Sequence, residues 1–189
     1  MLKQLAFASC LFVPAACSTV PITGRRQLSL VSDAEINTLA AQQYQQVLQQ
    51  SRVVTGTAQA ATVRRVGQRI QQAVETYFRQ QNAQNQLAGY QWEFNLIQDD
   101  KQQNAWCMPG GKVAVYTGIL PITQDENGLA VVMGHEIAHA VAKHGNERMS
   151  QGLVQQLGGQ ALGSALSTNS ALTQQVALQA FGVGSQLGL

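Results

Sequence analysis

Apolar residues recur every three or four positions from Ser32 onward, the spacing of a helix with one buried face. Ser32 and Glu35 form the Ser-x-x-Glu pattern of a capping box, so the sequence predicts a helix over about 33–50. After a break at Gly56 the same period returns. It predicts a second helix of about twenty residues, which ends near Phe78.

The pattern changes to alternation over residues 90–96, where every second side chain is aromatic or aliphatic. A period of two predicts a strand with one buried face. A Pro-Gly-Gly turn at residues 109–111 precedes a second short strand over 113–116, and Gly118 ends that strand. The patterns together predict a mainly helical α+β domain with a small sheet.

Asp125 is placed to cap a third helix, with Glu126 in its first turn near the positive end of the helix dipole. Beyond Gly145 the spacing predicts one or two further helices, over about 147–166 and 171–186. Their six glycines indicate close packing against a neighbouring helix. Their glutamines argue against a membrane span.

Composition excludes few classes of protein, because 45% of the 189 residues are hydrophobic and the net charge is only +2. Such a chain can form an ordinary globular core. The positive charges are scattered and do not alternate with aromatic residues, so binding to nucleic acid has little support.

The N-terminus has the features of an export signal. Lys3 gives a positive start, residues 5–13 form an apolar stretch too short to span a bilayer, and small residues precede Cys17. We expect a lipoprotein signal over 1–16, a lipid anchor on Cys17 and a tether over 17–31. Plain secretion and an ordinary structural N-terminus are the alternatives. With Cys17 acylated, Cys107 would be left as a free thiol without a disulfide partner.

The most informative chemistry is the sequence His-Glu-Ile-Ala-His at residues 135–139. Residues four apart lie on one face of a helix, so His135 and His139 can both reach one tetrahedral Zn²⁺. Glu136 projects beside them, where it can take a proton from a water on the metal. This spacing is typical of zinc proteases.

A catalytic zinc normally has three protein ligands, and the third is not obvious in this sequence. His144 would face away from the metal if the helix continued, as a C-terminal histidine near the negative dipole end. Glu147, the only acidic residue after His139, lies too close to the motif to return on a separate helix. Three explanations remain open. We expect the chain to be a fragment that lacks the next helix, because its last residues are apolar and carry no helix stop signal. The alternatives are an inactive relative, or an upstream acid (Asp99 or Asp100) that folds back to the metal.

Two segments carry a resemblance to a known family. Residues 104–111 read Asn-Ala-Trp-Cys-Met-Pro-Gly-Gly before the second strand, and residues 135–139 are followed by His144. This combination resembles the zinc endopeptidases that include bacterial HtpX and the CAAX prenyl proteases (peptidase family 48, of the gluzincin type). Cys17, with Pro21 and Gly24 after it, resembles the start of the soluble, lipoprotein-type periplasmic members.

The resemblance implies a zincin-like fold over 32–189, in which the edge strand of a small sheet flanks the helix with the zinc motif. It also implies a glutamate on a later helix as the third ligand, and no residue here matches it. The implied activity is zinc-dependent endopeptidase cleavage of unfolded or misassembled envelope proteins in the bacterial periplasm. A catalytically inactive, lipid-anchored binding or chaperone-like module is the alternative.

The strand over 112–116, if it forms the sheet edge, would bind a protein or peptide substrate in extended form by strand addition. Gly111, Val113 and Val115 are then expected to contact the substrate backbone. Asn104 either hydrogen-bonds the substrate or satisfies its own loop. Cys107 is either a small buried hydrophobe or a thiolate that caps the zinc and holds the enzyme latent.

Overall fold

The computed structural model describes residues 17–157 and 171–181. The predicted signal segment over 1–16, and the parts of the two last predicted helices over 158–166 and 182–186, lie outside the described residues. Within the described ranges the strands are β1 (Cys17–Thr19), β2 (Arg26–Leu28), β3 (Val53–Val54), β4 (Glu93–Ile97), β5 (Ala105–Met108) and β6 (Lys112–Tyr116). The helices there are α1 (Asp33–Gln50), α2 (Ala58–Gln80), α3 (Leu120–Thr123), α4 (Glu126–Val141), α5 (His144–Leu157) and α6 (Ala171–Ala180). The prediction of a mainly helical α+β domain is confirmed.

The first two helices begin where the sequence places them. The Ser32 hydroxyl accepts from the Glu35 N–H at 3.2 Å, and the Glu35 carboxylate accepts from the Ser32 N–H at 3.2 Å, so the capping box is complete. Thr57 caps α2 through its side chain, which accepts from the Ala60 N–H. In the described part of the chain, no helix is long and apolar enough to cross a membrane.

The larger sheet has the order β3-β4-β6-β5, with β4 and β6 parallel and the other two pairs antiparallel. Strand β6 therefore lies inside the sheet, and the prediction that it forms an edge is wrong. The signal was present in the sequence, since a strand buried on both faces reads as a continuous apolar run, as residues 113–115 do. In the described residues, β5 is the edge strand on this side of the sheet, and α4 packs against it.

Two hydrophobic cores lie on opposite faces of this sheet. Because neighbouring side chains alternate between faces, Ala105 and Cys107 of β5 enter the core formed with α2 and α4. Trp106 and Met108 enter the core formed with α1, α5 and α6. Helix α4 thus belongs to the first core and α5 to the second.

Residues 17–31, expected as a tether, are instead folded onto the domain. Strands β1 and β2 form an antiparallel hairpin that packs against α5. Pro21 and Gly24 lie in the hairpin loop, which the Val20 N–H closes by donating to the Arg25 carbonyl at 2.8 Å. Val20 and Val31 are buried, so the segment contributes apolar side chains that a solvated tether would leave in water.

Candidate metal centre

Helix α4 carries the His-Glu-x-x-His motif, and its start is capped as predicted. The Asp125 carboxylate accepts from the Asn127 N–H at 2.8 Å and from the Gly128 N–H at 2.9 Å. On its inner side the helix buries Leu129, Met133 and Ile137 against the first core. Burial of this face fixes the rotation of the helix and leaves the two histidines of the motif on its outer side.

His135 and His139 converge through their outer ring nitrogens, whose Nε2–Nε2 distance is 3.0 Å. Two ligands of one tetrahedral ion, each about 2.05 Å from the metal, would lie about 3.3 Å apart. The two rings meet edge to face with centroids 4.6 Å apart, so neither blocks the other nitrogen. The pair fits the geometry of two imidazole ligands on one divalent cation.

Glu136 lies beside this pair and is partly buried. Burial raises the pKa of its carboxyl above the ordinary value, and the positive charges of His135 and Arg148 offset part of that effect. A carboxyl whose pKa is raised in this way is suited to accept a proton and release it again.

Cys107 faces Glu136 from β5 and is a buried thiol with 8% of its surface exposed. Burial raises its pKa strongly, and the nearby Glu136 carboxylate raises it further. The thiol donates to the Met108 carbonyl at 3.5 Å. Of the two interpretations of Cys107, the structure favours the small buried hydrophobe over the thiolate that caps a metal.

The prediction that His144 faces away from the motif is wrong, because helix α4 does not continue to it. The helix ends at Val141, the chain turns at Ala142 and Lys143, and His144 is the first residue of α5. Lys143 has a φ of 59°, which reverses the chain direction locally. His144 Nδ1 thereby lies 2.6 Å from His139 Nδ1.

His139 and His144 both have pKa values below the ordinary value for histidine. Burial is the main cause in each ring, and neighbouring positive charges, among them Arg148, add to it. The neutral form of imidazole, which is the form that binds metals, is therefore favoured at both positions.

The acidic residues considered as third ligands are engaged elsewhere. Both oxygens of Glu147 accept from the Arg25 guanidinium, at 2.8 and 2.6 Å. Asp100 accepts from the Thr117 hydroxyl at 2.6 Å, and Asp99 accepts from the Lys101 N–H at 3.1 Å within its own turn. Among the residues that the structure describes, no group of three or more His, Cys, Asp or Glu side chains is placed to hold a metal ion.

The residues predicted to contact a substrate do not form an exposed edge. Val113 and Val115 are fully buried in the first core, and β6 has a strand on each side. Gly111 has a φ of 79°, and a Cβ there would lie 2.6 Å from the Trp92 ring, so its role is to turn the chain closely past that ring. Asn104 is 3% exposed, and its carbonyl accepts from the Tyr116 N–H at 3.0 Å.

Arg148 is a site residue that the sequence pattern did not reveal. Its Nε donates to the Ala180 carbonyl at 2.7 Å, which joins α5 to the end of α6. Its charge acts on Glu136, His139 and His144. The one available signal was its position four residues after His144, which places both on the same face of α5.

Comparison with known proteins gives a consistent result. The family model described as Peptidase family M48 matches residues 58–188. The mitochondrial metalloendopeptidase OMA1 of Saccharomyces cerevisiae is 29% identical over 161 residues, which cover 84% of this chain and 47% of the relative. OMA1 of Schizosaccharomyces pombe is 45% identical over 64 residues (34% of this chain, 19% of the relative), and the human OMA1 is 27% identical over 128 residues (68% and 24%). The chain spans less than half the length of these relatives.

These names contradict the predicted bacterial periplasmic localisation, since each of these relatives is named as a mitochondrial protein. The N-terminal pattern was a weak basis for that prediction. It consists of one early positive charge, a short apolar stretch and a few small residues, features that many leader segments share.

The matched range covers more than half of the chain and contains α2, strands β4 to β6, and helix α4 with the metal motif. This match confirms the predicted family, although it does not confirm the HtpX type. The chain belongs to peptidase family M48.

Proposed function

We propose that this chain contains the catalytic centre of a zinc-dependent metalloendopeptidase. His135 and His139 are the ligands supplied by α4, and Glu136 is the general base. The observation that carries the proposal is the 3.0 Å approach of the two Nε2 atoms, with the Glu136 carboxyl beside them. Membership of family M48 and the metalloendopeptidase names of the relatives support the same reaction class.

The residues of the chain divide the reaction between binding and proton transfer. A bound zinc ion would act as a Lewis acid that makes a water more acidic and polarises the scissile carbonyl. Glu136 accepts a proton from the attacking water as the water oxygen bonds to the carbonyl carbon. The same carboxyl then delivers that proton to the amide nitrogen as the C–N bond breaks. The raised pKa of Glu136 makes its carboxylate a stronger acceptor for the proton of the attacking water.

The proposed substrate is an unfolded polypeptide segment bound in extended form along β5 rather than β6. The hydrogen bond from the Tyr116 N–H to the Asn104 carbonyl makes these two residues a hydrogen-bonded pair across β5 and β6. Hydrogen-bonded and non-hydrogen-bonded pairs alternate along an antiparallel ladder, so the N–H and C=O groups of Ala105 and Cys107 point away from β6. Cys107 is 8% exposed, and the Glu136 carboxylate is near enough to act on its charge. A peptide pairing there would bring its backbone to the general base.

Glu136→Gln is the direct test, on the 189-residue chain with zinc and labelled casein as an unfolded substrate. The amide cannot accept the proton, so we expect cleavage to fall at least about 100-fold while the zinc content stays unchanged. Glu126→Gln is the matched control, because it makes the same change in the first turn of the same helix. We expect it to cleave like the wild type.

Zinc content, measured by elemental analysis after desalting, tests the ligands separately. We expect His135→Ala and His139→Ala each to retain less zinc than the wild type, because each variant loses one of the two ligands that α4 supplies. Equal cleavage by the wild type and Glu136→Gln would contradict the proposed base. Equal zinc content in the wild type and both alanine variants would contradict the proposed ligands. A binding module without hydrolysis predicts little zinc and no effect of Glu136→Gln.

A further inference from the structure

Each ring nitrogen of His139 faces another imidazole. Its Nε2 lies 3.0 Å from His135 Nε2, and its Nδ1 lies 2.6 Å from His144 Nδ1. The rings of His139 and His144 are tilted by 56° with centroids 4.9 Å apart, so they meet through these nitrogens rather than by stacking. His144 therefore contacts the side of His139 that is turned away from His135.

The chemistry of imidazole restricts how three such rings can share their protons. A neutral imidazole carries one N–H and one acceptor nitrogen. If His139 binds a metal through Nε2, that nitrogen carries no hydrogen, and the proton must lie on Nδ1. His144 Nδ1 must then be the acceptor, with its own proton on Nε2. One arrangement of protons is thus compatible with a metal at the His135–His139 pair.

We propose that His144 is a positioning residue for the metal centre. Its Nδ1 accepts a hydrogen bond from the His139 Nδ1–H, which keeps the His139 Nε2 lone pair turned toward His135. The inference rests on the proposed metal site. It extends that site by a residue on a different helix, as partners beyond the ligands commonly fix the tautomer and orientation of a metal-binding histidine.

Contacts on both sides of His144 hold the start of α5, and with it the His144 ring, in this position. The Lys143 ammonium pairs with Asp33 at 2.7 Å, immediately before His144. The Asn146 amide, two residues after His144, donates to the Val31 carbonyl at 2.9 Å. These contacts hold the chain on both sides of His144, one against the first residue of α1 and the other against the segment before it. The position of the His144 ring therefore follows from the turn at Ala142 and Lys143 and from long-range contacts.

Two substitutions of equal shape separate the hydrogen bond from packing. Asn has an oxygen on the atom that in His carries Nδ1, so His144→Asn can keep an acceptor close to the same place. His144→Leu has the same branching and no acceptor. The thermal midpoint of the metal-free proteins shows whether both variants fold.

The first readout is the tautomer of His139, from ring ¹⁵N NMR of the metal-free 189-residue chain at a pH where the histidines are neutral. We expect the proton on Nδ1 in the wild type and in His144→Asn, and a mixture of tautomers in His144→Leu. A wild-type His139 protonated on Nε2 would overturn the proposal, and so would a tautomer unchanged in His144→Leu. This readout needs no bound metal, so its result is independent of the proposed function.

The second readout is zinc affinity by competition with a chelator. Loss of a residue that orients a ligand typically weakens metal binding about 10- to 100-fold, and we expect this for His144→Leu. His144→Asn should recover most of the affinity. Equal affinity of His144→Leu and the wild type would contradict the inference. Equal affinity of His135→Ala and the wild type would instead contradict the metal site itself.

Discussion

The pairing of Glu147 with Arg25 joins residues 122 positions apart, and it gives the protein a pH-dependent contribution to stability. The hydrogen bonds from Arg25 hold the pKa of Glu147 below its ordinary value. A depressed pKa means that the stabilisation is present above the unfolded value, about 4.3, and is lost as the pH falls through the folded value. Since the Arg25 side chain is 49% exposed, solvent screens the pair and the effect is small.

We predict that Glu147→Gln lowers the thermal midpoint by roughly 1–2 °C at pH 7, and that this deficit shrinks as the pH falls below the unfolded value and through the lower folded value. Thermal unfolding followed by circular dichroism over a series of acidic pH values measures this trend. Arg25→Gln should reproduce the loss, and the double variant should lose no more than either single variant. A deficit that is the same at every pH would show that charge is not its cause.

Among the site residues, the sequence predicts those whose positions depend only on local helix spacing. His135, Glu136 and His139 follow from spacing on one helix. The contact between His144 and His139 could not be predicted, because the helix break between them falls at Ala142 and Lys143, where neither Gly nor Pro marks it. The Arg25–Glu147 pair joins two distant segments, and nothing in local spacing indicates it.

Helix α2 and strand β4 pack so closely that a glycine is required between them. A Cβ on Gly67 would lie 2.2 Å from a ring carbon of Phe94, which is itself buried. We predict that Gly67→Ala destabilises the protein by about 1–3 kcal/mol, because the ring has to move within a packed core. The free energy of unfolding from urea titration measures the loss.

Gly134→Ala is the matched control, since Gly134 also lies inside a helix, but a Cβ there would meet no neighbouring segment within 4 Å. Alanine favours helix by up to about 1 kcal/mol over glycine, so we expect this variant to be as stable as the wild type or more so. Equal effects of the two substitutions would show that helix propensity, rather than contact with Phe94, decides the outcome.

The sequence predicts elements better than their pairing. The alternation before residue 96 and the Pro-Gly-Gly turn locate strands correctly, but they do not say which strand forms the edge. The parallel pairing of β4 with β6 depends on the crossover between them, and it moves the edge to β5. The hairpin over residues 17–28 could not be predicted for a related reason, since Pro21 and Gly24 occur in turns and in linkers alike.

At the scale of the whole molecule, the candidate metal centre lies where the two cores meet. His139 is on α4, which packs in the core with α2, and His144 is on α5, which packs in the core with α1 and α6. The geometry of the His139–His144 pair therefore depends on how the second core holds the start of α5. The N-terminal segment supplies part of that support.

A buried hydrogen-bond network makes this connection. The Asn146 amide donates to the Val31 carbonyl at 2.9 Å, the Ser150 hydroxyl donates to Asn146 Oδ1 at 3.3 Å, and the Leu30 N–H donates to the Ser150 hydroxyl at 2.9 Å. Asn146 and Ser150 are almost completely buried, so neither can exchange these partners for water. Loss of the Asn146 amide would leave buried polar groups of both segments without their partner.

We predict that Asn146→Ala costs about 1–3 kcal/mol of stability and selectively accelerates backbone hydrogen exchange in residues 17–31 and at the start of α5. Strands β4 and β6 should exchange as in the wild type under conditions of local opening, since their hydrogen bonds lie inside the sheet. Asn127→Ala, at an exposed position of α4, is the control and should change stability by less than about 0.5 kcal/mol. Hydrogen exchange with mass spectrometry resolves these segments. If exchange accelerated equally throughout the chain, the N-terminal segment and α5 would open only with the whole domain, and the network would not be a separate support of His144.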